Sequence, residues 1–313
     1  MVGYGMTPPS FEWPNGAKIA INFSIEWHEG GENSVDNEAA FHRGAYEGRR
    51  DLFVESLYEY GTRAGLPRVL RLFQEFGYSF STWTNARALE ATSYYGPHLV
   101  AGGHDIAAHG NRWITQTELL GGPEEEARHV AQAIDRLRAA TGLQNVPTGW
   151  YYGRGTLYNK HILAKVHRDK GVPLLYSSDT YADSLYLQYY VEHPFTLDGE
   201  EDEGLLMIPY SLTNNDHRFY TKGAGFACSD DFFNLLKAEF DELLEEGRAG
   251  QPKMMTIALH SRIIGRPGRI TAIRRFMEHV QNSGEAWVTT RDKIAHHFRE
   301  HFPYQAPTRT LHE

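Results

Sequence analysis

Short apolar segments alternate with amphipathic helical segments along nearly the whole 313-residue sequence. The segment 66–77, LPRVLRLFQEFG, has apolar residues at helical spacing, with Pro67 near its start and Gly77 as a stop. The segment 123–141 is a second such helix, with acidic residues in its first turn and Gly142 behind it. The alternation predicts a parallel, TIM-like α/β barrel. We expect residues 1–313 to form one catalytic domain, with residues 1–17 as an N-terminal extension packed on the barrel.

The stretch 18–33, KIAINFSIEWHEGGEN, is typical of a strand that ends in two polar side chains. Side chains alternate between the two faces of a strand, so the isoleucines and Phe23 share one face while Glu26 and His28 end the other. In one interpretation the apolar face packs under helices and the polar face lines a site. In the other, the polar face of an antiparallel strand is exposed to solvent. The strand pattern alone favours neither.

Further polar side chains follow other predicted strands. In parallel α/β barrels the carboxyl ends of the strands carry the active site, so residues at these ends are expected to meet. The candidates at strand ends are Glu26, His28, His109, Arg154, Asp179 and His260. Their coincidence favours the interpretation in which the polar face of the first strand looks into the mouth of the barrel.

Two of these histidines, His28 and His109, together with a carboxylate could hold zinc or a related divalent ion. A bound metal lowers the pKa of a water molecule, and the carboxylate of Glu26 can take the proton as that water attacks a carbonyl. His260 could then donate a proton to a leaving nitrogen. The alternative is that each is one of the 16 histidines with a surface or core role.

Aromatic residues accompany the candidate strand ends. Trp113, Trp150, Tyr151 and Tyr152 could form a wall for a sugar or another planar ring, and Asp179 could contact the same substrate. Side chains of this size more often belong to the core, so both interpretations stay open.

Composition excludes several classes of function. The net charge of -9 and the pI near 6.0 argue against nucleic acid as a partner. The single cysteine, Cys228, excludes a disulfide framework and a cysteine-based zinc site. No apolar run reaches membrane-spanning length and no leader is visible. We therefore expect a soluble, cytoplasmic protein without a membrane partner, although a trimmed chain or one exported by an unconventional route would look the same.

Several motifs, taken together, resemble the polysaccharide deacetylase superfamily, also called the carbohydrate esterase 4 or NodB-homology superfamily. They are GGEN, AAHGNRW, PTGWYYGR, YSSDTYADSL, IPYSLTNNDHRF and KMMTIALHSRIIGRPGR. The similarity is greatest to the branch that contains recruited allantoinases, peptidoglycan-deacetylase-like enzymes and fungal chitin-oligomer deacetylases. This resemblance covers nearly the whole chain and implies a distorted (β/α) barrel that does not reach eight-fold closure. It also implies a homo-oligomer, either a dimer or a tetramer.

The resemblance assigns roles to individual residues. Glu26 falls on the position of the catalytic base, His260 on that of the leaving-group acid, and Arg154 on that of the arginine that orients the base. His28 falls on the position of an acidic metal ligand, a departure that changes the ligand without removing it.

The family's His-x-x-x-His motif is only half present. His109 matches its first member, but Trp113 stands at the second and cannot coordinate a metal. Allantoinases of this branch also have tryptophan there and work without a bound metal. Glu32 or water could complete the coordination shell of a zinc ion held by His28 and His109.

The resemblance implies a hydrolase of carbon–nitrogen bonds other than peptide bonds. We expect a metal-dependent deacetylase that removes acetyl groups from N-acetylglucosamine units of chitin oligomers, because Glu26 and His28 supply a base and a metal ligand where allantoinases have asparagine and glutamate. The alternative is an allantoinase-type hydrolase of a cyclic ureide or imide that needs no metal. A third class, a non-catalytic sugar-binding barrel, is disfavoured because Glu26, His109, Arg154 and His260 are all present.

Overall fold

The computed structural model describes residues 10–32, 50–114, 121–153, 155–181, 189–191, 204–223 and 225–304. In this part of the chain, nine strands form one sheet. The strands are β1 (Ile19–Trp27), β2 (Ser81–Thr84), β3 (Asp105–Ala108), β4 (Gly149–Trp150), β5 (Tyr176–Ser177), β6 (Tyr189–Val191), β7 (Leu205–Met207), β8 (Lys253–His260) and β9 (Ala286–Val288).

The sheet is curled and almost entirely parallel. Its order is β6-β7-β5-β4-β3-β2-β1-β8, with β9 paired to the first residues of β1. Among the strands of the described residues, only β6 runs antiparallel, against β7. Helices surround this open half-barrel, so the predicted distorted (β/α) barrel of the NodB type is confirmed.

The helices of the described residues fill the connections between the strands. They are α1 (Leu52–Tyr60), α2 (Leu66–Phe76), α3 (Ala86–Ala91), α4 (Gly96–Ala101), α5 (Pro123–Thr141), α6 (Asn159–Lys170), α7 (Ser229–Arg248), α8 (Ser261–Ile264), α9 (Pro267–Ser283) and α10 (Arg291–His301). Gly77 and Gly142 end α2 and α5 in the left-handed conformation, as their sequences predict. None of these helices is long and apolar enough to cross a membrane.

The first strand is buried on both faces. All nine residues of β1 are buried, and Ile21, Phe23 and Ile25 belong to the main apolar cluster beneath the helices. Asn22 and Ser24 on the other face hydrogen-bond to one another, and Asn22 also donates to Thr289 O. Because β1 lies between parallel neighbours, the interpretation as a solvent-exposed antiparallel strand is wrong.

The residues just before β1 pack against the end of the barrel where β8 begins. Trp13 is buried in a second apolar cluster, and its indole nitrogen donates to Lys253 O at 2.9 Å. Its neighbour Phe11 packs edge-on against the Trp13 ring, with 4.7 Å between centroids. These contacts bring residues 10–17 onto the start of β8, on the side of the sheet away from the strand ends that carry Glu26 and His260.

Candidate active site

The site begins with two residues that the sheet register places side by side. β1 and β8 pair in parallel, and Glu26 lies opposite His260 at the carboxyl ends of both strands. The Glu26 carboxylate oxygen Oε2 is 3.2 Å from His260 Nε2, and both side chains are almost fully buried. Two neighbouring strands from distant parts of the sequence therefore supply a carboxylate and an imidazole in direct contact.

A second carboxylate holds the other side of the His260 ring. Asp216 opens a short 3₁₀-helix (Asp216–Tyr220) and is completely buried. Its Oδ1 is 2.7 Å from His260 Nδ1, and its Oδ2 accepts a hydrogen bond from the His260 backbone N–H at 2.9 Å. Since a carboxylate can only accept, the Nδ1 proton of His260 points to Asp216. Nε2 is therefore the nitrogen that works with Glu26.

The charges of Glu26 and His260 stabilise each other against burial. Burial is the largest single influence and by itself would raise the pKa of Glu26, but the charge and the hydrogen bond of His260, together with the charge of Arg262, outweigh it, and the pKa falls to about 2. Burial would likewise lower the pKa of His260, but the carboxylates of Glu26 and Asp216 raise it to about 9. At neutral pH the pair is a carboxylate and an imidazolium, which are the states needed for a general base and a general acid.

The second oxygen of Glu26 is fixed by neutral donors. Its Oε1 accepts from the Asn215 amide at 3.1 Å and lies 3.5 Å from the Tyr210 hydroxyl. The Asn215 amide also donates to the Tyr210 oxygen. Asn215 and the preceding loop thus orient the carboxylate without adding a charge to it.

His28 is the first residue after β1, and its ring is stacked between aromatic rings. Its ring is parallel to that of Trp113, with 4.4 Å between centroids and 4° between planes. On its other side the His109 ring lies 4.9 Å away. His28 Nδ1 is 3.3 Å from the Arg262 guanidinium, and Nε2 is 3.6 Å from Glu26 Oε2. Burial, followed by the charge of Arg262, holds the pKa of His28 well below its usual value, so the ring is neutral.

His109 follows β3 and has the opposite hydrogen-bonding pattern. Its Nδ1 is 2.5 Å from the Tyr151 carbonyl oxygen, which can only accept, so Nδ1 carries the proton. Its Nε2 is buried and has no hydrogen-bond partner among the described residues. Burial lowers the pKa of His109, which leaves a neutral ring with a lone pair on Nε2.

Glu26, His28 and His260 could hold a metal ion, because one ligand atom from each lies within 4.8 Å of the others. The hydrogen bonds described above do not suit such an ion. Arginine has only donors, so Nδ1 of the neutral His28 ring must accept and Nε2 must carry the proton. Nε2 of His260 is committed to the ion pair with Glu26. A metal ion therefore does not fit these residues in their observed arrangement.

The structure does not bring every predicted site residue to Glu26. Trp150 belongs to the apolar core beneath the helices and donates to His167 on α6, and Tyr152 stacks on it. The reason is strand alternation: Tyr151 faces His109, with parallel rings 5.1 Å apart, so its two neighbours point to the other face. The placement of Trp150 and Tyr152 differs from the predicted substrate wall.

Of the remaining predicted residues, one lies at the site and one holds a nearby loop. Trp113 lies at the site, against His28. Asp179 accepts hydrogen bonds from the backbone N–H groups of Tyr152 and Gly153, so its carboxylate holds the loop that leads to position 154. Arg154 lies outside the described residues, and its role in orienting the base stays a prediction.

Sequence analysis missed several residues that contact the pair or its neighbours. Asp216, Asn215 and Tyr210 lie within the motif IPYSLTNNDHRF, and Arg262 lies two positions after His260 in the last motif. Each stands in a stretch that carries the family resemblance, which was the available signal. Their roles depend on contacts between distant segments that no local pattern reveals.

The buried Glu26–His260 pair has the acid and the base that hydrolysis needs, and comparison with known proteins gives the class of enzyme. No protein-family model matches the sequence. A Schizosaccharomyces pombe protein named "Putative polysaccharide deacetylase" is 35% identical over 306 residues, which cover 94% of each chain. The chain belongs to the polysaccharide deacetylase superfamily.

Two solved structures are similar to this chain over nearly its whole length. Puue allantoinase, in its crystal structure, has 38% sequence identity to this chain and a TM-score of 0.84, and the match covers 97% of both chains. The crystal structure of a "probable Polysaccharide deacetylase" from Pseudomonas aeruginosa PAO1 is 37% identical, with a TM-score of 0.85, and covers 97% of this chain and 98% of the other. The similar proteins thus include one named as an allantoinase and two named as polysaccharide deacetylases, at nearly equal identity, and the chain is a hydrolase acting on carbon–nitrogen bonds other than peptide bonds.

Proposed function

We propose that the protein opens the ring of a small cyclic ureide or imide by hydrolysing a bond between a carbonyl carbon and nitrogen. The observation that carries this proposal is the buried Asp216–His260–Glu26 chain, which holds a charged acid and a charged base in contact at neutral pH. Such a pair can serve both proton transfers of hydrolysis without a cofactor.

The two residues divide the proton transfers between them. Glu26 takes a proton from a water molecule as its oxygen attacks the ring carbonyl. The carbon–nitrogen bond then breaks, and His260 gives its Nε2 proton to the departing nitrogen. The product carries a new carboxyl group and a new N–H in one open chain. Transfer of the Glu26 proton back to His260 restores the pair, and Asp216 holds the ring in place throughout.

The depth of the site favours a small substrate. Glu26 is 6% exposed, His260 is 2% exposed and His28 is 1% exposed, so little of their surface is open to a polymer. The aromatic side chains of Trp113 and His28 lie beside the pair, and aromatic side chains interact favourably with a planar ring.

The leaving group favours a ureide or imide over a simple amide in this arrangement. A nitrogen bonded to two carbonyl carbons departs with less assistance than an amine, because its developing charge is delocalised. An acetamide depends more strongly on a metal ion. Since a metal ion does not fit the observed hydrogen bonds, the substrate with the better leaving group is the one that this acid–base pair can hydrolyse.

Incubation of the purified protein with allantoin and with succinimide, in separate assays with and without a chelator, tests the proposal. We expect ring opening that the chelator leaves unchanged and that Glu26→Gln reduces by roughly 10²- to 10⁴-fold. Glu75→Gln is the matched control, because Glu75 is an exposed surface residue paired with Arg274. Failure to open any cyclic ureide or imide, with the protein folded, would refute the proposal.

A second candidate function is deacetylation of N-acetylglucosamine units in chitin oligomers with the help of zinc. The free Nε2 lone pair of His109 favours it, because that tautomer is the one that binds metals. The similar proteins named as polysaccharide deacetylases also favour a carbohydrate substrate. Release of acetate from acetylated chitooligosaccharides would support this candidate if a chelator abolishes it. If the protein is also inactive toward cyclic substrates, deacetylation replaces ring opening as the proposed function.

A further inference from the structure

We propose that Arg262 fixes His28 as the Nε2–H tautomer and so makes it a neutral hydrogen-bond donor to the carbonyl oxygen of the substrate. The identity of that carbonyl rests on the function proposed above, whereas the tautomer itself does not. In this arrangement Arg262 is a positioning residue, because it acts through His28. The assignment also explains why the cluster of Glu26, His28 and His260 does not suit a metal ion.

Arg262 is held rigidly where it meets His28. The residue is only 6% exposed, and its Nη1 lies 3.3 Å from His28 Nδ1 and 3.6 Å from Glu29 Oε1. Its guanidinium also lies over the Tyr58 ring of α1, 4.5 Å from the centroid. Because a guanidinium never accepts a hydrogen bond and does not lose its proton in proteins, the Nδ1 atom of His28 must be the acceptor.

Glu29 ties this contact to the ends of both central strands. Its Oε1 accepts from the Ser261 hydroxyl at 2.9 Å, and its Oε2 accepts from the His28 backbone N–H at 3.1 Å. Glu29 therefore joins the residue after β1 to the first residue after β8 and places Arg262 beside the imidazole.

The Nε2–H group of His28 is left available for a ligand. Its Nε2 is buried, has no hydrogen-bond partner among the described residues, and lies 3.6 Å from Glu26 Oε2. A buried donor without an acceptor is costly, so an oxygen atom that enters the site beside Glu26 is stabilised there. The parallel Trp113 ring fixes the plane of the imidazole and hence the direction of this donor. A donor fixed in this way strengthens as negative charge develops on the carbonyl oxygen.

Nitrogen-15 NMR of histidine-labelled wild-type protein tests the tautomer directly. We expect the His28 ring to show a protonated Nε2 and an unprotonated Nδ1, with the resonances assigned by their loss in His28→Gln. In Arg262→Met we expect the Nδ1–H form to appear. Arg266→Met is the control, because Arg266 stacks on Tyr60 instead, and its spectrum should match the wild type. An Nδ1–H tautomer in the wild type would overturn the proposal, even if Arg262→Met failed to fold.

Zinc content is a second measurement that needs no substrate. After dialysis against zinc and removal of free metal, we expect well below one zinc per chain in the wild type and in Arg266→Met. We expect more zinc in Arg262→Met than in the wild type, because Nε2 of His28 can then lose its proton to Nδ1, and we expect that gain to be lost when His28→Ala is added. One zinc per wild-type chain that His28→Ala removes would overturn the proposal.

Turnover tests whether the donor acts on the reacting carbonyl. We expect His28→Ala to lower kcat by about 10²- to 10³-fold with little change in KM, as for loss of one preorganised donor. His28→Gln, which keeps an N–H group, should recover part of that loss. Equal kcat values for His28→Ala and the wild type would refute the role of the donor. The proposed function would fail separately, by inactivity of the wild type toward cyclic substrates.

Discussion

Replacing Asp216 by asparagine should move the alkaline limit of activity, because Asp216 is one of two carboxylates that keep His260 protonated. The pKa of His260 rises from 6.5 to about 9 although burial works in the opposite direction. Removal of one of the two negative charges should lower it by roughly 1 unit, which corresponds to about 1.4 kcal/mol. The protonated fraction at pH 9 then falls from about one half to about one tenth, so the variant loses about fivefold more activity at pH 9 than at pH 7.

The assay is a profile of kcat/KM from pH 5 to pH 10 for the wild type and Asp216→Asn. The asparagine amide would face the His260 backbone N–H, two donors in contact, which should cost about 1–3 kcal/mol of stability. Thermal unfolding at each pH must therefore confirm that the variant is folded. Asp230→Asn is the control, because Asp230 is exposed and pairs with Arg275. An alkaline limit that stays in place in folded Asp216→Asn would refute the assignment of His260 as the acid controlled by two carboxylates.

Two further predictions concern stability. The lowered pKa of Glu26 stabilises the fold above pH 4.5, and that stabilisation is lost as the pH falls toward 2. The raised pKa of His260 stabilises the fold below pH 6.5, and that stabilisation is lost as the pH rises toward 9. In urea unfolding, the free energy of unfolding of the wild type should therefore fall by about 3 kcal/mol between pH 6.5 and 9, and that of Glu26→Gln should fall much less. Equal decreases in the two proteins would contradict the ion pair. Gly65→Ala should destabilise the protein by about 1–3 kcal/mol, because a Cβ atom there would overlap the Ser261 carbonyl oxygen. Gly268→Ala is its control, since that Cβ would meet no atom within 4 Å, and a similar loss in both variants by thermal unfolding would contradict the packing argument.

Local patterns were sufficient to predict a barrel-like α/β fold and where the site lies, whereas the open, distorted form of the barrel came from the resemblance to a known family. The two faces of β1 follow from strict alternation of apolar and polar residues, and α2 and α5 follow from helical spacing with a terminal glycine. Because parallel strands present their carboxyl ends at one edge, the expected meeting of Glu26, His28, His109 and His260 needed no knowledge of the connections.

The contacts that decide the chemistry could not be predicted in this way. Asp216 reaches His260 across 44 residues, from a short 3₁₀-helix with no periodic signal. The tautomer of His28 depends on Arg262, 234 residues away, and on the direction in which the guanidinium points. Such features are set by tertiary packing, which is also why a histidine that looks like a metal ligand in sequence takes a different hydrogen-bonding state in the structure.

The position of β1 in the sheet has a consequence for synthesis. β1 leaves the ribosome long before β8, which begins at Lys253, yet in the described part of the chain β8 is the strand that pairs with one whole edge of β1. Until β8 arrives, that edge presents unpaired peptide groups on a strand that is apolar and buried in the finished protein. The nascent chain should therefore depend on chaperones for much of its translation, and a chain released before β8 should aggregate and be inactive.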